Sequence, residues 1–322
     1  MARHARRTPL LPAPALARGL GRDVLLKAEC LQHTGSFKVR GAAARLEALD
    51  PDERGRGVVA CSSGNHGRAV AFVAARMGIR ATIFVPEWID AVKLSGIRAC
   101  GAEAVLAGSS FDEAEAKALE SATHEGRTYV SAYDDPWVIA GQGTIGDEIL
   151  DQCDRVPDVV MAPLSGGGLV AGIAARTKVR LGARAPITVA VSAENAAVML
   201  ASLRAGHPVE VPEQDTLASA LAGGIGPDNR HSFALVRDLV DEHAVVSERA
   251  IADAMRHLIE RSNLVVEGGG AVAVAALLGG AWRAPDVGPE RDTAPGPIVI
   301  VLSGGNVATE TLLGVLAARP GG

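Results

Sequence analysis

Short apolar runs rich in β-branched residues alternate with longer helical runs along almost the whole chain. Residues 24–28, 57–61, 81–85, 104–106, 159–161, 187–191 and 298–302 read as strands. Residues 39–49, 67–77, 91–99, 111–123, 169–179 and 250–261 read as helices, with one more after Asn306. This alternation predicts α/β architecture: open, mostly parallel sheets flanked by helices. In such sheets ligands sit beyond the carboxyl ends of the strands.

Three polar, glycine-rich turns fall at those ends: Ser62-Ser63-Gly64-Asn65-His66-Gly67, Ser165-Gly166-Gly167-Gly168-Leu169 and Ser303-Gly304-Gly305-Asn306. The first two also open helical patterns. A helix start has amide donors without backbone partners and the positive end of the helix dipole, so it attracts anions. Pro51-Asp52-Glu53-Arg54-Gly55 and Tyr133-Asp134-Asp135-Pro136 read as lobe crossings, and 284–297 as an exposed loop. This predicts a small domain of residues 53–134 and a large one of 1–52 and 135–322.

Bulk properties remove several function classes. At 322 residues, with 48% apolar and 21% charged side chains, the chain has the composition of a globular enzyme. A net charge of -5 argues against a nucleic-acid partner. The longest apolar stretch, 271–282, is broken by Gly279-Gly280 and is too short to span a bilayer. Cys30, Cys61, Cys100 and Cys153 show no C-x-x-C spacing, which points to reduced thiols in a cytoplasmic protein. The basic start, Arg3 to Arg7, fits a solvated tail better than a transit segment, because no amphipathic stretch follows.

Lys38, in Gly35-Ser36-Phe37-Lys38-Val39-Arg40-Gly41, is the candidate nucleophile. A lysine amine reacts only when neutral, which burial or nearby positive charge favours. Its position at a helix start, two residues from Arg40, allows both influences; the same spacing also suits an ordinary exposed lysine. The Ser62 to His66 turn suits a carboxylate or phenolate, whereas helix capping explains one of its residues. Ser165 to Leu169 suits a phosphate. It is not a Walker A loop, since no Gly-Lys-Ser/Thr follows, but Gly166-x-Gly168-x-x-Ala171 meets a loose dinucleotide pattern. A nicotinamide-dependent oxidoreductase is therefore the rival from another class, with a non-catalytic ligand-binding protein behind it. His66 reads as an acid–base group or a hydrogen-bonded structural residue, Glu194 as a cation or ribose ligand or a solvated carboxylate, and Glu267-Gly268-Gly269-Gly270 as a turn.

Taken in order, the Lys38, Ser62, Ser165, Glu267 and Ser303 segments resemble the serine/threonine dehydratase and serine racemase family of fold-type II pyridoxal-phosphate enzymes. Arg7-Thr8-Pro9-Leu10 and Gly141-Gln142-Gly143-Thr144 share the likeness, which spans about residues 7 to 312. The resemblance implies a two-domain, tryptophan synthase β-like fold, pyridoxal 5′-phosphate as cofactor, and a homodimer. It implies that Lys38 joins the cofactor aldehyde and then takes the substrate's Cα proton. By the same likeness Ser165, Gly166, Gly167, Gly168 and Leu169 hold the phosphate, Asn65 bonds the ring oxygen, and Phe37 adjoins the cofactor. Ser62, Ser63, Gly64, Asn65 and His66 bind the substrate carboxylate, and Ser303 faces the ring nitrogen.

A hydroxyl at the ring nitrogen leaves a weaker electron sink than a carboxylate would. The implied reaction is β-elimination of water from a hydroxy amino acid of the L-threonine or L-serine type, giving a 2-oxo acid and ammonia. Ser63 matches the opposite-face acid–base group of family racemases, so racemisation is the close alternative. Two departures stand out. Ala218-Ser219-Ala220 replaces a frequent Ala-Asp-Gly, and the following Gly223-Gly224-Ile225-Gly226-Pro227-Asp228-Asn229-Arg230 looks more like the hydroxyectoine-utilisation dehydratases. Glu194 matches one ligand of the family's cation site, but Val198 and Leu200 stand where a second acid is expected, so no metal is expected. With only a short stretch after Asn306, the regulatory domain of biosynthetic threonine dehydratases is not expected here.

Overall fold

The structure, a computed structural model, describes residues 3–62, 64–87, 89, 91–284 and 295–318. Among them the strands are β1 (Leu10–Pro12), β2 (Val24–Lys27), β3 (Val58–Cys61), β4 (Ala81–Val85), β5 (Glu103–Leu106), β6 (Thr128–Tyr129), β7 (Val159–Pro163), β8 (Ile187–Ala193), β9 (Glu242–Val246) and β10 (Ile298–Val301). They form two sheets, ordered β1-β2-β10-β7-β8-β9 and β5-β4-β3-β6. Every pairing is parallel except β1 with β2 at one edge. The α/β expectation holds.

The strand period of two splits the larger sheet's side chains between two cores. Val159 and Met161 of β7, with Ile298 and Ile300 of β10, pack under helices Glu248–Ser262 and Gly268–Leu278. Val160, Ala162, Val299 and Val301 pack on the other face, against helices Pro136–Gln152, Gly168–Leu181 and Ser232–Leu239. Strands buried on both faces read as continuous apolar runs, which is why these were legible. Each fully buried Val or Ile contributes about 1.5–3 kcal/mol. On the smaller sheet, Val58, Ala60, Ile83 and Val85 share a core with helices Lys38–Glu47 and Asn65–Met77. The helix that begins at Lys38 therefore packs on the small sheet, although its loop leaves the large one.

Some expectations change. Residues 51–55 are not a bare crossing: Pro51–Arg56 is a helix with a reciprocal cap, Glu53 N donating to Asp50 Oδ1 (2.8 Å) and Asp50 N to Glu53 Oε2 (2.9 Å). The Glu267 to Gly270 stretch is not a free turn but the start of helix Gly268–Leu278. Helix Pro136–Gln152 was not anticipated at all; Asp135 caps it, accepting from Trp137 N (2.8 Å) and Val138 N (2.9 Å). Of the loop expected at 284–297, residues 285–294 lie outside the described residues, as does Ser63.

Candidate active site

β2, β10 and β7 lie side by side, so the loops after them leave the same edge of the sheet. The loop after β2 carries Lys38, the loop after β10 carries Ser303 to Asn306, and the loop after β7 carries Ser165 to Gly167. The first two are strapped together. Phe37 N donates to the Ser303 carbonyl (3.0 Å), Gly305 N donates to the Gly35 carbonyl (2.9 Å), and Ser36 bridges Gly304 antiparallel. Gly35 has φ +74°, and a Cβ there would overlap Asn306 Oδ1. Only glycine allows this approach and this conformation together.

Lys38 opens helix Lys38–Glu47, and its Nζ donates to the Ala132 carbonyl at 2.7 Å and lies 5.2 Å from the centre of the Phe37 ring. The residue as a whole is half-buried while the amine is enclosed. Burial lowers its pKa from 10.5 to about 8, with the Glu267 carboxylate opposing that shift. The expected help from Arg40 is absent. Arg40 is turned away into a buried cluster, its Nε and Nη2 on Glu29 (both 2.8 Å) and its Nη1 and Nη2 on Glu148 (2.7 and 2.8 Å). Its charge is spent there, so desolvation alone depresses the lysine.

The turn after β3 enters helix Asn65–Met77 through Gly64, which has no side chain to cap it. Ser62 Oγ accepts from Gly64 N (3.1 Å), and a Cβ on Gly64 would meet nothing within 4 Å, so the turn borders open space. Asn65 Nδ2 donates to Glu267 Oε1 (2.7 Å), while Asn65 Oδ1 accepts from Asn306 Nδ2 (2.6 Å). Arg68 Nη1 donates to Asn306 Oδ1 (2.9 Å), extending the chain of amides. His66 is 3% exposed, and its Nε2 lies 2.8 Å from the Val130 carbonyl. Burial and the nearby Lys38 charge push its pKa down to about 3, so it is neutral: Nε2 donates to that carbonyl and Nδ1 carries the lone pair. Of its two sequence readings, the hydrogen-bonded structural one describes this environment.

The Ser165 to Leu169 turn leads into helix Gly168–Leu181, whose N-cap residue, Gly167, likewise has no side chain to cap it. Ser165 is half-exposed and Gly166 to Leu169 are buried. Tyr133 lies against this turn: a Cβ on Gly166 would strike its ring, and one on Gly168 would come within 2.7 Å of its carbonyl oxygen. Because Ala132 holds the lysine and Tyr133 touches the glycines, the amine and the turn are neighbours. Ser303 is 4% exposed beside the lysine loop. Leu169 faces the core rather than the cleft.

Glu194 stands apart. It is exposed at the end of β8 and accepts from Glu248 N (3.0 Å), capping helix Glu248–Ser262. Val198 and Leu200 are buried apolar residues, and among the described residues no three His, Cys, Asp or Glu side chains converge on a metal-sized site. Ala220 is exposed, and it packs against the position where Gly269 would carry a Cβ (3.3 Å). Sequence reasoning missed Ala132, Tyr133 and Arg68 as neighbours of the lysine and its turns. They reach the site through non-local folding, which periodicity does not report.

An enclosed lysine amine beside an uncapped, glycine-only helix start fits an aldehyde that also carries a phosphate. A side chain on Gly166 or Gly168 would displace Tyr133, so the cradle exists only with glycine. Comparisons with known proteins agree. Residues 1–304 match the family described as pyridoxal-phosphate dependent enzyme. The L-threonine ammonia-lyase of Thermotoga maritima is 40% identical over 94% of this chain and 71% of its own length. That of Geobacter sulfurreducens is 40% identical over 96% and 74%. The structure of maize serine racemase superposes with a TM-score of 0.86 at 32% identity, covering 98% of this chain and 93% of that one. The loose dinucleotide pattern is therefore a property of the glycine turn, and the nicotinamide reading falls away. This chain belongs to the family of pyridoxal-phosphate-dependent enzymes.

Proposed function

We propose that this chain is a lyase that takes a β-hydroxy amino acid of the L-threonine or L-serine type to a 2-oxo acid and ammonia by loss of water. The observation that carries the reading is the Lys38 amine, held at 2.7 Å on the Ala132 carbonyl next to the Ser165 to Gly168 turn. The two L-threonine ammonia-lyases at 40% identity support the substrate class. When bound, pyridoxal 5′-phosphate supplies an electron-withdrawing ring that acidifies the substrate's Cα–H bond.

The protein's own groups do the rest. Lys38, with its pKa lowered to about 8, is neutral in about a tenth of molecules at pH 7, against well under a thousandth at its ordinary value of 10.5, so it would be competent to join the aldehyde and carry the Cα proton. The amides of Ser165, Gly166, Gly167, Gly168 and Leu169 hold the phosphate by dipole and hydrogen bonding. Asn65 would hold the ring oxygen, and Ser303 would offer the ring nitrogen a neutral hydroxyl. The Ser62 to His66 segment, including Ser63 and Gly64, receives the substrate carboxylate. His66, neutral and fixed on Val130, shapes that turn rather than moving a proton. Lobes of 53–134 and of 1–52 with 135–322 belong to this reading; the two separate sheets support them. A homodimer in the cytoplasm completes it.

The test is spectroscopic. Added pyridoxal phosphate should give an absorption band that borohydride bleaches, leaving the label on Lys38, and Lys38→Ala should abolish turnover. A panel of L-threonine, L-serine, threo-3-hydroxyaspartate and hydroxyectoine-derived amino acids, read by 2-oxo acid release, assigns the substrate. A protein that takes up no pyridoxal phosphate, or a fully active Lys38→Ala variant, overturns the proposal.

A further inference from the structure

The Gly223 to Arg230 stretch, which departs from the common family pattern, is tied to the cleft at several points. Asn229 Nδ2 donates to the Ile225 carbonyl (3.1 Å) and to Ser232 Oγ (2.9 Å), closing the loop on itself. Tyr133 Oη donates to the Gly224 carbonyl (3.4 Å). The Asp134 carboxylate accepts from three consecutive amides: Arg230 N (2.7 Å) on Oδ2, and His231 N and Ser232 N (both 2.8 Å) on Oδ1. Helix Ser232–Leu239 has no side-chain cap from its own N-cap residue, His231; Asn229 Oδ1 accepts from Phe233 N (2.9 Å), and Asp134, almost a hundred residues away, takes the amides of His231 and Ser232. Such charge-assisted bonds to a helix start are the strong kind.

That helix in turn backs the glycine turn. A Cβ on Gly167 would lie 2.7 Å from Val236 Cγ2 and 3.6 Å from Ser232 Cβ, while the Tyr133 ring lies against Gly166 and its backbone against Gly168. Two adjacent residues thus hold the turn, one by direct contact and one through the helix whose start it binds. Asp134 itself is oriented from behind, its own N–H donating to Ser131 Oγ (3.0 Å).

We propose that Tyr133 and Asp134 form a clasp that sets the shape of the Gly166 to Gly168 turn, with Asp134 a positioning residue for the anionic end of the cofactor. The inference rests on the pyridoxal-phosphate reading above. Its signature is selectivity for the phosphate. Loosening the helix widens the cradle around a phosphate, while Lys38, perched on Ala132, still meets an aldehyde. Asp134→Ala should release pyridoxal phosphate at least tenfold more readily, and the phosphorus NMR line of the bound cofactor should shift and broaden. Binding of pyridoxal, which has no phosphate, should change by less than threefold. Asp134→Asn keeps the shape and one acceptor oxygen and should fall between, so it serves if the alanine variant does not fold.

If wild type prefers pyridoxal phosphate and both variants bind it like wild type, the clasp is wrong while the functional reading stands. Equal weakening of pyridoxal and pyridoxal phosphate also overturns the clasp, because it means a general loss of structure. A wild-type protein that binds neither compound removes the functional reading and the clasp together.

Discussion

Arg40 offers the sharpest numerical test of how the site is held. Lys27, Glu29, Arg40 and Glu148 form a buried cluster of two cations and two carboxylates, with Lys27 Nζ bridging Glu148 Oε2 (2.6 Å) and the Thr8 carbonyl (2.8 Å). Glu29 is 0% exposed, so water cannot replace a lost partner. Arg40→Met removes both forks and leaves Glu29 with the Thr8 hydroxyl alone. Breaking one side of a buried pair costs about 3–5 kcal/mol. At roughly 2 °C per kcal/mol, a value for proteins somewhat smaller than this one, the midpoint should fall by about 6–10 °C.

The assay is thermal unfolding followed by far-ultraviolet circular dichroism, at fixed cofactor concentration because bound ligand shifts the midpoint. The reasoning also predicts a rescue. Adding Glu29→Gln restores charge balance and should recover most of the loss, so the double variant should be more stable than Arg40→Met alone. An Arg40→Met midpoint within 1–2 °C of wild type would mean that the cluster is not desolvated as described. A double variant no better than the single one would mean that charge imbalance is not the cause.

Two further outcomes follow from the geometry. In cofactor-free protein, reductive labelling of Lys38 by a small aldehyde should level off above about pH 8 and fall tenfold per unit below it. A midpoint near the ordinary 10.5 would remove the burial argument. Gly35→Ala must hold a non-glycine residue at φ +74° and push Asn306 away, at a strain cost of about 1–2 kcal/mol. Its midpoint should drop and its pyridoxal-phosphate affinity weaken; no change in either would mean that the strap between the lysine loop and the Ser303 turn is not a constraint.

The central strands were readable because both faces of their sheets are covered, so Val58 to Cys61 and Ile298 to Val301 are apolar without interruption, whereas the edge strands β1, β6 and β9 were not read. Glycine was read in only one of its two senses. At Gly166 to Gly168 it signals a turn, and there the reading served. Gly141, Gly143 and Gly146 lie inside helix Pro136–Gln152, where propensity counts them as breakers. They are there because helices cross closely: a Cβ on Gly141 would come within 2.6 Å of the Arg40 carbonyl oxygen, and one on Gly143 within 2.8 Å of the Gly172 carbonyl oxygen. Gly270 meets the Gly304 carbonyl oxygen in the same way (2.7 Å), which is why a helix start looked like a turn. Close approach depends on a partner distant in sequence, and local pattern is silent about it. The lysine was visible for its neighbours in sequence, but its perch on Ala132 was not.

β10 sits between β2 and β7, and the Ser36 to Gly304 bridge joins residues from opposite ends of the chain. A ribosome delivers residue 36 early and residue 304 almost last. Until then the large sheet has a gap at its centre, and the lysine loop has nothing to lie against. The small sheet, made wholly from residues 58–129, can assemble while translation continues. Nascent chains should therefore stay blind to pyridoxal phosphate until the final strand emerges, and a truncation just before Ile298 should yield a protein with a folded small sheet and no competent site.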